Sequence, residues 1–223
     1  MSLSNISFAI ATVETYKETT IPVVINSLRL NDISSEQIHV FVNSSTKNSD
    51  EIVDGINYHY NVGLSYFEWI NPKLIIERNL KSDWWFLLHD TVEFGLRTQT
   101  VLKTFAAISD TNCGIIKLTP THSNSIGMLR QRIFDTHQNF FFDKLRSLDT
   151  IHDVLERKRW CIKNENSFLH LEPFSFFQSD NAIQVPNQSI YDTKRIREYF
   201  HGIDMIKWKK NNSGYAAVRD VQL

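Results

Sequence analysis

Trp84-Trp85-Phe86-Leu87-Leu88-His89-Asp90 is the stretch on which the reading of this chain turns. Trp84–Leu88 is a continuous apolar run of strand length that ends in two polar residues. A strand with no polar alternation suits burial on both faces, as in a parallel sheet covered by helices. Upstream, Ile6–Thr12 and Ile38–Val42 are β-rich apolar runs, and Ile56–Tyr60 reads as a third short strand. Pro22 sits where a helix can begin, and the apolar spacing continues to Leu30. Leu64–Leu80 reads as helical, with Pro72 predicting a kink or two helices meeting at Asn71. Downstream, Thr98–Ile108 reads as a helix and Gly114–Leu118 as a strand. The alternation predicts an α/β fold: one mostly parallel sheet with helices on both faces, in a single compact domain.

The pattern loosens after Pro120. Ser125–Leu129 reads as a strand, Gln131–His137 as a helix start and Leu148–Trp160 as one charged helix. Phe168–Phe177 alternates as a hairpin or edge strands do. Thr193–Phe200 reads as a short helix. The expected layout is an α/β half over residues 1–120 and a less regular half over 121–223, packed together.

Composition bounds the function. The chain has 223 residues, 42% hydrophobic and 22% charged, which fits an ordinary globular protein. Lys and Arg total 24 against 25 Asp and Glu, so the basic excess of a dedicated nucleic-acid binder is missing. Cys113 and Cys161 form no metal or disulfide framework. With no basic leader at Met1–Ser7 and no run of about 18 apolar residues, the expected location is cytoplasmic and no transmembrane segment is expected. Only 7 glycines occur, no two closer than eight positions, which excludes GxGxxG and Walker A loops. A phosphate-handling protein of this composition must therefore neutralise charge with a metal or with cationic side chains.

In an open parallel sheet, ligands bind beyond the carboxyl ends of the strands. Those ends carry Thr12, Glu14 and Thr15; Asn43, Ser44, Ser45 and Thr46; Asn61 and Gly63; and His89, Asp90, Thr91 and Glu93. Asp90 suits a hard divalent cation whose shell is completed by substrate phosphates. It equally suits a helix cap or a pairing with a nearby base. The His89-Asp90 pair, at a strand end, lacks the helical setting of a metal phosphohydrolase.

At these motifs the chain resembles the GT-A-fold glycosyltransferases, particularly the inverting family-2 type, over roughly its first 135 residues. Phe41-Val42-Asn43-Ser44-Ser45-Thr46-Lys47-Asn48-Ser49 is similar to their nucleotide loop. Asn61-Val62-Gly63-Leu64-Ser65 resembles their NxGFS segment, and Trp85–Asp90 resembles the strand that enters their DxD motif. Ile126–Phe134 resembles their acceptor-side strand and helix. The resemblance implies a GT-A-like (Rossmann-like) fold and transfer of a sugar from a nucleotide-diphosphate sugar to a carbohydrate or other hydroxyl acceptor, as in polysaccharide biosynthesis. It implies nucleotide binding by Thr12, Glu14, Asn43, Ser44, Asn61 and Arg78. It also implies a divalent metal (Mn or Mg) held by Asp90 with Glu93 and His201, and a general base at Asp149 or Asp153. The DxD position reads Asp90-Thr91-Val92, without its last acid, and Glu93 stands one residue beyond. Asp149 and Asp153, four apart on one expected helix, would share a face; the mixed-charge run that they open also suits a solvated surface. The incomplete DxD keeps open a non-catalytic module of the same fold that binds a sugar or nucleotide or serves as a structural partner. A further nucleotidyl-handling enzyme lacks the expected entry loop in Val13–Ile21.

Overall fold

The computed structural model describes residues 3–108, 113–122, 126–186 and 196–208. Its main sheet has eight strands. They are β1 (Ile6–Val13), β2 (Ile38–Ser44), β3 (Asp50–Val53), β4 (Ile56–Val62), β5 (Trp84–His89), β7 (Ile115–Lys117), β8 (Gly127–Arg130) and β9 (Phe174–Phe176), in the order β3-β4-β2-β1-β5-β8-β7-β9. Strands β4, β2, β1 and β5 are mutually parallel, and β8 runs antiparallel between β5 and β7. The expected mixed, mostly parallel α/β domain is the fold observed. Because β8 lies between β5 and β7, a strand from beyond residue 120 is built into the sheet of the first half.

Alternate residues of the central strands fill two cores. Ile6, Phe8 and Ile10 of β1 join Trp84, Phe86 and Leu88 of β5 on one face. Ala9, Ala11, Trp85 and Leu87 lie on the other. The first core is closed by α1 (Ile21–Arg29) and α3 (Thr98–Ile108), and the second by α2 (Ile70–Glu77), α4 (Gln131–Thr136) and α5 (Gln138–Asp149). Burial on both faces is why β5 is written without a polar residue before His89.

A second sheet was not expected from the sequence. It runs β10-β11-β12-β6, with β6 (Val92–Phe94), β10 (Ile183–Pro186), β11 (Ile196–Phe200) and β12 (Met205–Trp208), all antiparallel. The helix expected over Thr193–Phe200 is thus corrected: residues 196–200 are a strand, and 193–195 lie outside the described residues. Two other readings change. Helix α2 begins at Ile70, after a single turn at Phe67–Trp69, so Pro72 stands in the first helical turn, where its missing N–H is harmless. The helix expected over Leu148–Trp160 is two: α5 ends at Asp149 and α6 (Val154–Asn164) starts afresh. Among the described residues, no helix is long and apolar enough to cross a membrane.

Candidate functional site

From β1 the chain steps outward through β2 to β4, then returns to add β5 on the other side of β1. The crevice between the carboxyl ends of β1 and β5 is therefore the topological switch point, where open α/β sheets bind ligands. The register Ala11↔His89 brings the next residues together. Thr12, buried at the end of β1, donates from Oγ1 to Asp90 Oδ2 across 2.8 Å. Asp90 opens the tight turn between β5 and β6. Its carboxyl is pushed up to about 6, first by burial and further by the charge of Glu68; the Thr12 hydrogen bond works against that rise. Among the described residues no lysine or arginine forms an ion pair with Asp90, and it caps no helix. The internal uses open to this strand-end acid are not the ones the fold makes.

The segment between β4 and α2 supplies the next groups. Phe67 holds φ at 48°, a left-handed conformation that a bulky residue rarely adopts and that costs about 1–3 kcal/mol. Its neighbours reach two different places. On one side, Glu68 Oε1 stands 3.6 Å from His89 Nε2. That nitrogen is buried and makes no hydrogen bond, and burial above all, then the positive fields of Lys207 and His122, keeps the His89 ring neutral. On the other side, Tyr66 donates its hydroxyl to Asp149 Oδ1 at 2.6 Å. Burial and that carboxylate push the phenol's pKa well above its usual value. The segment thus ties the acid at the end of α5 to the edge that holds Asp90.

The loops after β1 and β2 are folded by their own polar groups. Glu14 accepts from Ser44 Oγ at 2.9 Å and from the backbone and hydroxyl of Ser45, both at 3.1 Å, which keeps its carboxyl below the usual range. Ser44 Oγ also accepts from the N–H groups of Thr46 and Lys47. Asn43 donates to Thr12 O at 3.1 Å and accepts from Tyr66 N–H at 2.8 Å, so one amide ties the β1, β2 and β4 ends. Asn61 is buried at the end of β4 opposite Asn43, and its side chain donates to Val62 O at 3.4 Å. Arg78, at the end of α2, donates to Asn48 Oδ1 at 3.0 Å and lies 3.7 Å from Asp50.

The remaining expected residues are dispersed. Glu93 lies on β6 with Val92 and Phe94 turned into the core, so it takes the opposite strand face. His201 is exposed in the hairpin turn between β11 and β12. The pairing Met205↔Phe94 puts that turn at the end of β6 away from Asp90, so His201 is not brought to it, contrary to expectation. Lys207, opposite Val92 toward the Asp90 end of β6, acts by its charge on His89. Asp149 and Asp153 do not share a helical face. Asp149 ends α5, while Asp153 is the N-cap of α6 and accepts from Glu156 N–H at 2.9 Å.

Arg157 joins these parts. It is fully buried on α6 and donates to the carbonyls of Ser65 (2.8 Å), Leu148 (2.6 Å) and Ile151 (2.7 Å). It thereby locks the α5–α6 turn onto the loop after β4. Among the described residues, no three His, Cys, Asp or Glu side chains converge as a metal-ligand set. The available donors at the switch point are the oxygens of Asp90 and Glu68, a hard pair that suits Mg²⁺ or Mn²⁺ completed by phosphate oxygens. Sequence reasoning missed Glu68, Tyr66 and Lys207 as neighbours of the site. Glu68 fell inside a span read as helix, and Lys207 is placed by pairing across more than a hundred residues of chain.

No protein-family model matches the chain, and no curated protein matches it. Among solved structures, TarS (residues 1–349) from S. aureus is 10% identical, with 59% of this chain and 49% of TarS aligned at a TM-score of 0.40. The mannosyltransferase PcManGT from Pyrobaculum calidifontis, solved with GDP-Man and Mn²⁺, is also 10% identical, with 59% of this chain and 46% of that one aligned at a TM-score of 0.42. The chain spans about half the length of either structure.

Proposed function

We propose that this protein is a glycosyltransferase that moves a sugar from a nucleotide-diphosphate sugar to an acceptor hydroxyl. The observation that carries the reading is the junction of Thr12 and Asp90 at the switch point, with an acid that lacks a cationic partner among the described residues. The resemblance of the β2 loop, the β4 end and the β5 end to GT-A motifs supports it. In this reading the nucleotide lies over Thr12, Asn43, Ser44 and Asn61, while Glu14 and Arg78 brace the loop that covers it. Asp90 and Glu68 would hold a divalent cation, in place of the expected set with Glu93 and His201. When bound, the cation offsets the charge that builds on the departing diphosphate.

Asp149 is the proposed general base. Its carboxylate takes the acceptor hydroxyl's proton as that oxygen bonds to the anomeric carbon and the bond to the diphosphate oxygen breaks. The Tyr66 hydroxyl fixes its orientation, and Asp153 serves as a helix cap. A second reading, a non-catalytic binding module of the same fold, is favoured by the lack of a three-ligand cluster among the described residues. Melting in the presence of UDP, GDP, dTDP and CDP sugars, each with and without Mn²⁺, tests the proposal. One nucleotide class should raise the melting temperature in a metal-dependent way, and sugar transfer to an acceptor should follow. Binding without transfer favours the module, and no shift with any of them overturns both.

A further inference from the structure

Helix α6 is used on one side only. Arg157 and Cys161 are buried, and Trp160 packs edge-on against Trp69 at 5.3 Å. The opposite side carries Leu155, 64% exposed, and Ile162, 56% exposed, with Val154 at 58% in the first turn. At 3.6 residues per turn, Leu155 and Ile162 stand nearly in line, roughly 140–160° from Arg157. Lys158 flanks this ridge on one side, and Arg159 and Lys163 on the other, all exposed. Glu156 is the one carboxylate within the helix, so three cations frame the ridge in a chain whose net charge is −1.

We propose that this face of α6 docks on an anionic phospholipid bilayer. An aliphatic ridge with one long cationic side chain on one side and two on the other matches the boundary between acyl chains and phosphates, where apolar tips enter and ammonium or guanidinium heads stay at the phosphate level. The ridge is convex and only two turns long, so binding is reversible, salt-sensitive and dominated by charge. The docking stands apart from the function proposed above. If that function holds, the bilayer would lie beside the α5–α6 turn and favour a membrane-borne acceptor.

Co-sedimentation with phosphatidylglycerol/phosphatidylcholine vesicles tests the docking, with pure phosphatidylcholine vesicles as the reference. The full chain should sediment with the anionic vesicles only and be released by 0.5 M salt, a concentration that screens such contacts. The triple variant Lys158→Gln, Arg159→Gln, Lys163→Gln should weaken binding on the order of a hundredfold. The double variant Leu155→Ser, Ile162→Ser should weaken it about tenfold or more. These side chains are exposed, so both variants should keep the wild-type melting temperature and any response to nucleotide sugars. Absence of binding to anionic vesicles overturns the proposal, as does equal binding by both variants. A wild-type dimer in sedimentation equilibrium that the serine pair abolishes also overturns it, by assigning the face to a second copy of the chain.

Discussion

The hydroxyl of Thr12 and the carboxylate of Asp90 meet across 2.8 Å, and that bond joins the ends of the two parallel strands between which the sheet reverses its order. Seventy-eight residues separate the partners in the chain. The bond is neutral on one side, so it orients the acid without cancelling its charge.

Asp90→Asn should stabilise the protein at pH 8. The native carboxyl is raised to about 6 from an ordinary 3.8, so the ionised form is penalised in the folded state. That penalty is complete above pH 6 and disappears as pH falls through 6 toward 3.8. Urea unfolding should show a gain of about 1–3 kcal/mol at pH 8 that is absent at pH 4. The same variant should lose any Mn²⁺-dependent shift with nucleotide sugars.

Thr12→Val should push the Asp90 carboxyl higher still, since the hydrogen bond that favours its ionised form is lost. A carbon-13 NMR titration of the aspartate carboxyls resolves this. A value unchanged from wild type would mean that the 2.8 Å contact does not orient the acid.

An acid-sensitive pair links β2 to β4. His39 Nδ1 and His59 Nε2 are 3.0 Å apart in stacked rings whose planes are 8° from parallel, and His59 Nδ1 is 3.1 Å from Asp50. Burial lowers His39 to about 3, and lowers His59 as well. Their contribution to stability is full above pH 6.5 and is lost as pH falls below it, because the unfolded chain then binds protons that the native state refuses. Replacing both by Phe should flatten the fall in melting temperature between pH 6.5 and 4.

Arg157→Met should cost about 2–4 kcal/mol in chemical denaturation, because three carbonyls, that of Leu148 buried, lose their donor. Arg157→Lys should recover little of it, since one ammonium cannot span three acceptors held in a fork.

The two acids flanking the α5–α6 turn should part in their behaviour. Asp153→Ala removes a helix cap and should cost about 1 kcal/mol with turnover retained. Asp149→Asn should abolish most turnover while nucleotide binding survives. Equal turnover in Asp149→Asn and wild type would remove Asp149 as the base.

The parallel core was legible because β1, β2 and β5 carry the double-sided apolar pattern that burial on both faces demands. Strand β3 was not, since it is short and largely exposed, two acids followed by two apolar residues; its signal was the Asp54-Gly55 pair, whose φ values of 52° and 80° make the tight hairpin turn to β4. Ile196–Phe200 looked helical because Arg197 and Glu198 mask the alternation, and its strand character comes from antiparallel pairing with β10 on one side and β12 on the other. The strand-end rule located Thr12 and Asp90 together. It did not find Glu68, because a single left-handed residue, Phe67, sets that side chain's direction, and no motif announces such a backbone.

The grip of Arg157 on main-chain oxygens has an evolutionary corollary. Every amino acid brings the same carbonyl, so these three hydrogen bonds place no demand of their own on the side chains at positions 65, 148 and 151. At position 157, by contrast, the clamp needs a side chain that can donate to three main-chain oxygens at once.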